Sequence, residues 1–180
     1  FVRLERAFQL HQLVVRPNAV RSGPFEGLIY STAEYSPWER KRLIGSYESC
    51  LHDTIRSFAK PEGPAYDRII VIGCAEGYYA IGLARCFPKV PVLAVDVDEA
   101  VLSLTESMAK ANGVEKDVTL SNRDAIYDLL ELDPSERTLI ICDCEGCEFA
   151  IFDGRGIPNL VNSDLIVEMH YSVQLITTSG

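Results

Sequence analysis

The chain has no apolar run long enough to cross a membrane. A spanning helix needs roughly 20 consecutive apolar residues, whereas the most apolar segment, from Ile70 to Ala84, is interrupted by Glu76. The first fifteen residues, FVRLERAFQLHQLVV, carry charged side chains inside a helix-like apolar period and lack the short apolar block of a secretory signal. We therefore expect a cytoplasmic protein that does not associate with membranes.

Positive charge is also scarce. Lysine and arginine total 17 against 26 aspartates and glutamates, which gives a formal net charge of -9. Nucleic-acid-binding domains are usually basic, so the composition gives no reason to expect a nucleic-acid partner. The first 42 residues differ, with seven basic and four acidic side chains. That segment either meets an anionic substrate or is a solvated helix face.

The six cysteines raise the question of disulfides and of a metal site. Three of them stand in the segment ICDCEGC. Without a secretion signal, and with an α/β pattern, reduced thiols are the better prediction. A structural zinc site would need a fourth ligand and usually takes paired CxxC motifs, so we assign no metal to this segment.

The length of 180 residues and the hydrophobic content of 47% suffice for one core. From Asp67 onward, apolar runs alternate with helical stretches; the runs are RIIVIG, VPVLAVD, DVTLSN, RTLIICD and DLIVEM. Continuous apolar strands separated by helices predict a parallel sheet covered on both faces, a doubly wound, Rossmann-like α/β fold over residues 67–180. Ligands of such sheets lie at the carboxyl ends of the strands, so the residues that end each strand are the candidates for chemistry.

Residues 1–66 are predicted to form a helical extension that partly covers the cleft. A first helix spans Phe1 to Val15 and stops before Pro17, which cannot continue it. A second helix begins with Ser36 as its N-cap and has a possible break at Gly45. It ends at the turn Pro-Glu-Gly-Pro that precedes the core.

The first strand runs into a turn of small residues in the segment IVIGCAEGYYAIGLA. The dinucleotide pattern GxGxxG would need a third glycine where Tyr78 stands. The alternative spacing GxGxG is met by Gly73, Ala75 and Gly77, with alanine as the smallest replacement for the middle glycine. A turn this small lets backbone amides approach a ligand closely.

Acidic residues follow the second and third strands. Asp96 stands where a carboxylate can accept both hydroxyl hydrogens of a ribose, and Asp98 is better placed than Asp96 to cap the following helix. After the third strand, Asp124 could accept a hydrogen bond from an exocyclic amine while the Ala125 amide donates to a ring nitrogen. Asp124 is equally well placed as an N-cap, and one carboxylate could do both.

The segments VIGCAEGYYAIGLA, AVDVDEAVLSLTESMAKANGV, RDA and LIICDCEGCEFAIFD, in this order, resemble the class I S-adenosylmethionine-dependent methyltransferases. The resemblance covers about Arg68 to Tyr171. More narrowly, DCEGCEF followed by DLIVEMHY is similar to the FkbM-type branch, whose pattern has Asp-x-Glu-Gly-x-Glu after the fourth strand and Glu-x-His in the fifth. The resemblance implies S-adenosylmethionine as cofactor and methyl transfer to an oxygen of a small molecule or sugar, and we predict strand order 3-2-1-4-5.

The resemblance also implies a set of cofactor-binding residues. The small turn would face the methionine half, Asp96 the ribose, and Asp124 with Ala125 the adenine. The complete predicted set is Gly73, Cys74, Ala75, Gly77, Tyr78, Asp96, Val97, Asp124 and Ala125. One departure concerns the acid that the family usually has two places before the first glycine, because this chain has Val71 there. Glu48, Glu76 or Asp143 could substitute for it.

The candidate catalytic residues are Asp143, Glu145 and His170, which should converge on one rim because all come from strand ends. If the acceptor is a hydroxyl, as the FkbM resemblance implies, a base is useful. His170 is the candidate whose ordinary pKa lies near neutrality. Two of these have a structural alternative: Glu145, like Glu148, can begin the helix after the fourth strand, and His170 can be an ordinary polar residue at a strand end. A variant of this site places magnesium among Asp143, Glu168 and His170.

Two other functions share the predicted sheet: a nicotinamide-dependent oxidoreductase, which Tyr78 disfavours, and a binding module without catalysis. Methyltransferases of the resembling kind continue past the fifth strand with a helix and a closing antiparallel pair, which have no counterpart in SVQLITTSG after Tyr171. An uncovered fifth strand would leave an apolar edge. We therefore expect either a homodimer that covers this edge or a shortened chain.

Overall fold

The computed structural model describes residues 18–30, 37–152, 154 and 157–170. Helices of 4 to 14 residues alternate with strands of 4 or 5 residues through most of this range. In chain order, the elements are α1 (Pro37–Ile44), a 3-10 turn (Ser49–Leu51), α2 (His52–Phe58), β1 (Arg68–Ile72), α3 (Tyr78–Cys86), β2 (Val92–Val95), α4 (Glu99–Asn112), β3 (Val118–Ser121), α5 (Ala125–Leu130), β4 (Thr138–Cys142), α6 (Glu148–Ile151), a 3-10 turn (Ile157–Leu160) and β5 (Ser163–Val167).

The five strands form one parallel sheet in the order β3-β2-β1-β4-β5. The central strand β1 pairs with β2 on one side and β4 on the other, with Ile70 opposite Leu93 and Ile140. The predicted Rossmann-like fold and strand order are confirmed. Because all strands point the same way, their carboxyl ends lie along a single edge.

Alternate residues of the central strands enter two separate cores. Ile69 and Val71 pack in the core that contains α3, whereas Ile70 and Ile72 pack with Ile140 on the opposite face. Side chains of a strand alternate between faces, so a strand that is buried on both faces must be apolar throughout. This explains why the sequence has continuous apolar runs and no alternating pattern here.

The segment before the sheet belongs to the first of these cores. Phe25 is fully buried and its ring fills the space that a β-carbon on Gly82 of α3 would occupy. The second predicted helix divides into α1, the 3-10 turn and α2, and its break at Gly45 (φ 80°) is confirmed. The predicted helix from Phe1 to Val15 and the cap at Ser36 lie outside the described residues.

In the part of the chain that the structure covers, no helix combines the length and the apolar character needed to cross a membrane.

Candidate active site

A cavity of about 1320 Å³ opens at the carboxyl edge of the sheet. Residues that follow all five strands line it, together with five residues of the segment before the sheet: Lys41, Arg42, Ser46, Tyr47 and Glu48. The strand order therefore sets the order of the lining: residues after β3 lie at one end and residues after β5 at the other. This is the place where ligands bind to open α/β sheets.

The turn after β1 forms the middle of the cavity wall. Gly73 has a positive φ of 73°, and a β-carbon there would overlap the main-chain carbonyl oxygen of Asp143. Only glycine fits this close approach between the ends of β1 and β4. Ala75 also has a positive φ, 46°, and its carbonyl oxygen accepts a 2.7 Å hydrogen bond from the buried Thr105 hydroxyl. The turn is thus fixed by both β4 and α4.

Asp96 directly joins this turn to the end of β2. Its Oδ2 accepts a hydrogen bond of 3.1 Å from the Ala75 amide, and its Oδ1 accepts one of 3.1 Å from the Asp98 amide. Asp98 caps α4 through a 2.8 Å hydrogen bond from the Ala100 amide, as its position in the sequence predicts. Asp96 is therefore held with its carboxylate in the cavity and is not the helix cap. Val97 lines the cavity beside it and is 84% exposed.

Asp124 and Ala125 lie at the end of the cavity that β3 forms. Asp124 is exposed and directly precedes α5, whereas Ala125 is buried as the first residue of that helix. This position is compatible with both predicted roles of Asp124, recognition of a planar base and capping of the helix.

Three residues of the predicted cofactor set do not line the cavity. Cys74 turns its Sγ toward Thr105 Oγ1 at 3.8 Å, and burial raises the pKa of its thiol to about 12. Gly77 forms the left-handed start of α3. Tyr78 is 3% exposed and packs edge-on against Phe25 and Tyr47, with ring centroids 5.1 and 5.5 Å away. These three residues therefore stabilise the turn from its side facing away from the cavity.

The opposite end of the cavity contains a histidine surrounded by carboxylates. The predicted catalytic residues Asp143, Glu145 and His170 all line this end. His170 Nε2 lies 3.8 Å from Asp143 Oδ1, 3.5 Å from Glu145 Oε2 and 3.8 Å from Glu168 Oε1. Asp143 follows β4 and His170 follows β5, which are neighbouring parallel strands, so their convergence results from the sheet itself.

Glu148 orients His170 from inside the protein. Its side chain is fully buried, and its Oε1 lies 2.9 Å from His170 Nδ1. The same oxygen accepts hydrogen bonds from the amides of Cys144 and Gly146. Burial opposes ionisation of Glu148, but the hydrogen bond with His170, followed by those from main-chain amides, outweighs it and lowers the pKa of Glu148 to about 2. A charged partner on Nδ1 raises the pKa of His170 and directs Nε2 into the cavity.

The pKa of Asp143 is shifted in the direction opposite to that of Glu148. Partial burial, followed by the nearby charges of Glu168 and Glu48, raises its pKa to about 6. Its Oδ1 is buried and accepts no hydrogen bond among the described residues. A carboxylate with a pKa close to neutrality can accept and release a proton under physiological conditions.

Asp143, Glu168 and His170 could also hold a divalent metal ion. One ligand atom from each residue can be chosen so that all three lie within 4.8 Å of one another. Two carboxylates and an imidazole suit several divalent metals.

The sequence predicts that the extension before the sheet partly covers the cleft, but of the residues that form this wall it singles out Glu48 alone. Arg42 and Tyr47 line the cavity, with the guanidinium 4.5 Å from the centre of the Tyr47 ring. Arg42 also pairs with Glu76, which in turn accepts a hydrogen bond from Tyr30. The spacing of these residues in the sequence does not predict their contacts. Besides the predicted cover over the cleft, the excess of basic residues before position 43 was the available indication.

Cys144 and Cys147 form a disulfide in the loop after β4, so the prediction that all thiols are reduced is wrong. Glu145 and Gly146 both have positive φ, 55° and 111°, and turn the chain back until the two Cα atoms are 5.6 Å apart. This distance lies in the range that a disulfide bridges. The remaining cysteines, at positions 50, 74, 86 and 142, are free.

No family model matches the chain, and no curated protein matches it in sequence. Solved structures do match in fold. A methyltransferase from Podospora anserina with SAH bound has a TM-score of 0.55 at 20% identity, over 74% of this chain and 56% of that one. An O-methyltransferase of tomaymycin synthesis from Streptomyces achromogenes, in complex with SAM, has a TM-score of 0.46 at 21% identity, over 56% and 48%. The chain spans about half the length of these structures. The first similarity supports the Rossmann-like fold.

Proposed function

We propose that the protein is an S-adenosylmethionine-dependent methyltransferase that acts on a hydroxyl oxygen of a small molecule or sugar. The observation that carries this proposal is the hydrogen bond between the Ala75 amide and Asp96, which brings the glycine turn and the carboxylate of the next strand into one cavity. A ribose at Asp96 would leave the methionine half beside Gly73 and the adenine toward Asp124.

The residues present fit this cofactor. Asp96 has lone pairs left for a ribose diol after accepting from two amides. Val97 exposes an apolar surface beside it that a planar base can cover. Gly73, which has no side chain, and the small residue Ala75 both line the cavity, so a ligand there can approach the main chain of the turn. When bound, S-adenosylmethionine supplies a methyl group that its sulfonium has already activated.

The chain's own contribution is to bind the acceptor and to take its proton. Asp143 and His170 Nε2 face the same end of the cavity, so an acceptor hydroxyl placed there can donate to one of them. Glu148 keeps the Nδ1 side of His170 occupied, which leaves Nε2 for the acceptor. Holding the acceptor in line supplies most of the rate in such a reaction, and a base contributes further.

The FkbM-type assignment is part of the proposal. The motif DCEGCEF contributes Asp143, Glu145 and Glu148, and the motif DLIVEMHY contributes Glu168 and His170. The contacts of His170 with all four carboxylates support a common role for the two motifs. A metal ion at Asp143, Glu168 and His170 would be an addition to this role, and loss of activity in a chelator with recovery on adding magnesium would reveal it.

Asp96→Ala tests the proposal. We expect the wild-type chain to bind S-adenosylhomocysteine and not NADH in calorimetric titrations, and Asp96→Ala to weaken that binding at least about 100-fold, because two charge-assisted hydrogen bonds are lost. Asp98→Ala is the matched control, since it removes the cap of α4 and costs about 1 kcal/mol of stability without touching the cavity. Binding of NADH, or unchanged affinity in a folded Asp96→Ala variant, contradicts the proposal.

We also infer a homodimer through β5. Among the described residues β5 pairs with β4 alone, and Leu165 of β5 is 42% exposed. Exposed strand edges tend to pair with another chain. Light scattering of the full chain should give twice its mass; a monomer at micromolar concentration contradicts the dimer. A cytoplasmic location and a lack of nucleic-acid partners stay predictions of the sequence.

A further inference from the structure

The methionine end of the proposed cofactor carries an ammonium group, and the acid expected to bind it is missing from β1. That position is occupied by Val71, which is 2% exposed and packs in the core with Ile69 and Ile141. It offers no polar atom to the cavity. An ammonium group that leaves water without a hydrogen-bond acceptor pays a large desolvation cost, so another residue must accept from it.

Glu76 lies in the turn itself but is already engaged. Its carboxylate pairs with Arg42 and accepts a hydrogen bond from Tyr30, and only 11% of its side chain is exposed. It does not line the cavity. Asp143 does line the cavity, but it faces His170 at the end where we place the acceptor.

Glu48 is the remaining carboxylate on the wall contributed by the segment before the sheet. It lines the cavity and is half-buried. The Tyr79 hydroxyl donates a hydrogen bond to its Oε2. Its backbone has a left-handed φ of 43°, which a non-glycine residue keeps only where the surroundings compensate for the cost. The carboxylate is therefore held in place by the fold.

The contacts of Glu48 locate it over the β1 and β4 part of the cavity. Tyr79 belongs to α3, which begins just after the glycine turn of β1. Glu48 is also near enough to Asp143 for its charge to contribute to the raised pKa of Asp143. Asp143 follows β4, and its main chain contacts Gly73. The ribose site at Asp96 follows β2, on the other side of β1. A methionine group that extends from Asp96 past the turn would come to Glu48.

We propose that Glu48 accepts the ammonium group of the cofactor, in place of the acid that β1 lacks. This inference rests on the proposed function. It adds that the segment before the sheet contributes to cofactor binding, so the bound cofactor would contact both that segment and the sheet.

The test compares two ligands that differ only at the ammonium group. These are S-adenosylhomocysteine and its desamino analogue, in which a hydrogen replaces that group. For the wild-type chain we expect calorimetric titrations to show about 10- to 100-fold tighter binding of S-adenosylhomocysteine, the range of a charge-assisted hydrogen bond. Glu48→Gln should reduce this preference to less than about threefold, by weakening S-adenosylhomocysteine while leaving the analogue unchanged.

Three variants make the result specific. Glu62→Gln makes the same chemical change at an exposed position outside the cavity and should keep the full preference. Asp143→Asn tests the rival acid and should also keep it. If Glu48→Gln does not fold, Tyr79→Phe removes one of the hydrogen bonds that hold Glu48, the other coming from Tyr47, and should lower the preference at least about threefold.

The failures of the two proposals can be told apart. If the wild-type chain binds neither ligand, the proposed function is wrong and the inference falls with it. If it binds both ligands equally, or if Glu48→Gln keeps the preference while Asp143→Asn loses it, the role of Glu48 is wrong and the proposed function stands.

Discussion

The two ends of the cavity are built in different ways. Around the ends of β1 and β2, main-chain groups fix the geometry: the Ala75 and Asp98 amides hold Asp96, and the close approach of β1 to the backbone after β4 makes Gly73 obligatory. At the end of β4 and β5, side chains from several segments meet around His170. The first end depends on strand geometry, which tolerates little change. The second depends on charges, which substitutions can alter without disturbing the fold.

The largest effect is expected from a β-carbon at the main-chain end. Gly73→Ala would place an atom on the carbonyl oxygen of Asp143, so β1 and β4 must separate. We expect a loss of at least about 3 kcal/mol in the free energy of unfolding, measured by denaturant titration. Gly113→Ala is the control: its φ of 68° is equally unfavourable, but no atom lies within 4 Å. It should cost about 1 kcal/mol. Equal losses in both variants would show that the two strand ends are not in contact.

At the side-chain end, loss of charge should reduce the rate and leave the fold intact. Asp143→Asn should lower kcat by about 10²- to 10⁴-fold if Asp143 is the base. The pKa of Asp143 is raised to about 6, so its carboxylate form decreases as the pH falls through that value. Wild-type kcat should therefore rise between about pH 5 and pH 7, and the variant should lack this rise. An unchanged profile in the variant would assign the base to His170.

The same raised pKa has a consequence for stability. Ionisation of Asp143 is harder in the folded chain than in the unfolded chain, so its contribution lowers stability as the pH rises from 3.8 to about 6. Glu148 behaves oppositely, because its pKa falls from 4.5 to about 2. Its contribution to stability is present above pH 4.5 and is lost as the pH drops toward 2.

Glu148→Gln sharpens the contrast between these two carboxylates. Removing the negative charge of Glu148 beside His170 Nδ1 should lower the pKa of His170, which NMR titration of the ring protons measures. If Glu148 acted only through packing, the pKa of His170 would be unchanged in the variant. Glu106→Gln, which breaks an exposed pair with Lys110, is the matched control and should not affect His170.

The smallest effect is expected from the disulfide beside the site. Thiol titration of the unfolded, unreduced chain should count four free cysteines, and six after reduction. Because the closed loop is very short, reduction should cost about 2 kcal/mol or less. Six thiols without reductant would contradict the Cys144–Cys147 bond.

The main-chain end could be predicted from the sequence because spacing determines it. The apolar runs give the strands, and the order of strands brings Gly73 and Asp96 together. The side-chain end was predictable only in part: Asp143 and His170 follow from strand ends, whereas the buried position of Glu148 depends on how the loop turns. The contact of Arg42 with Glu76 joins residues far apart in the chain, and no local pattern encodes it. The disulfide was missed because its prediction relied on cellular location rather than on the turn.

A crystal structure of the full chain with S-adenosylhomocysteine tests the central claim most directly. We predict the ribose hydroxyls within hydrogen-bonding distance of Asp96, about 2.6 to 3.2 Å, with the adenine toward Val97 and Asp124. The ammonium group should then lie at Glu48. A ligand bound elsewhere, or a cavity that stays empty at saturating concentration, would contradict the account.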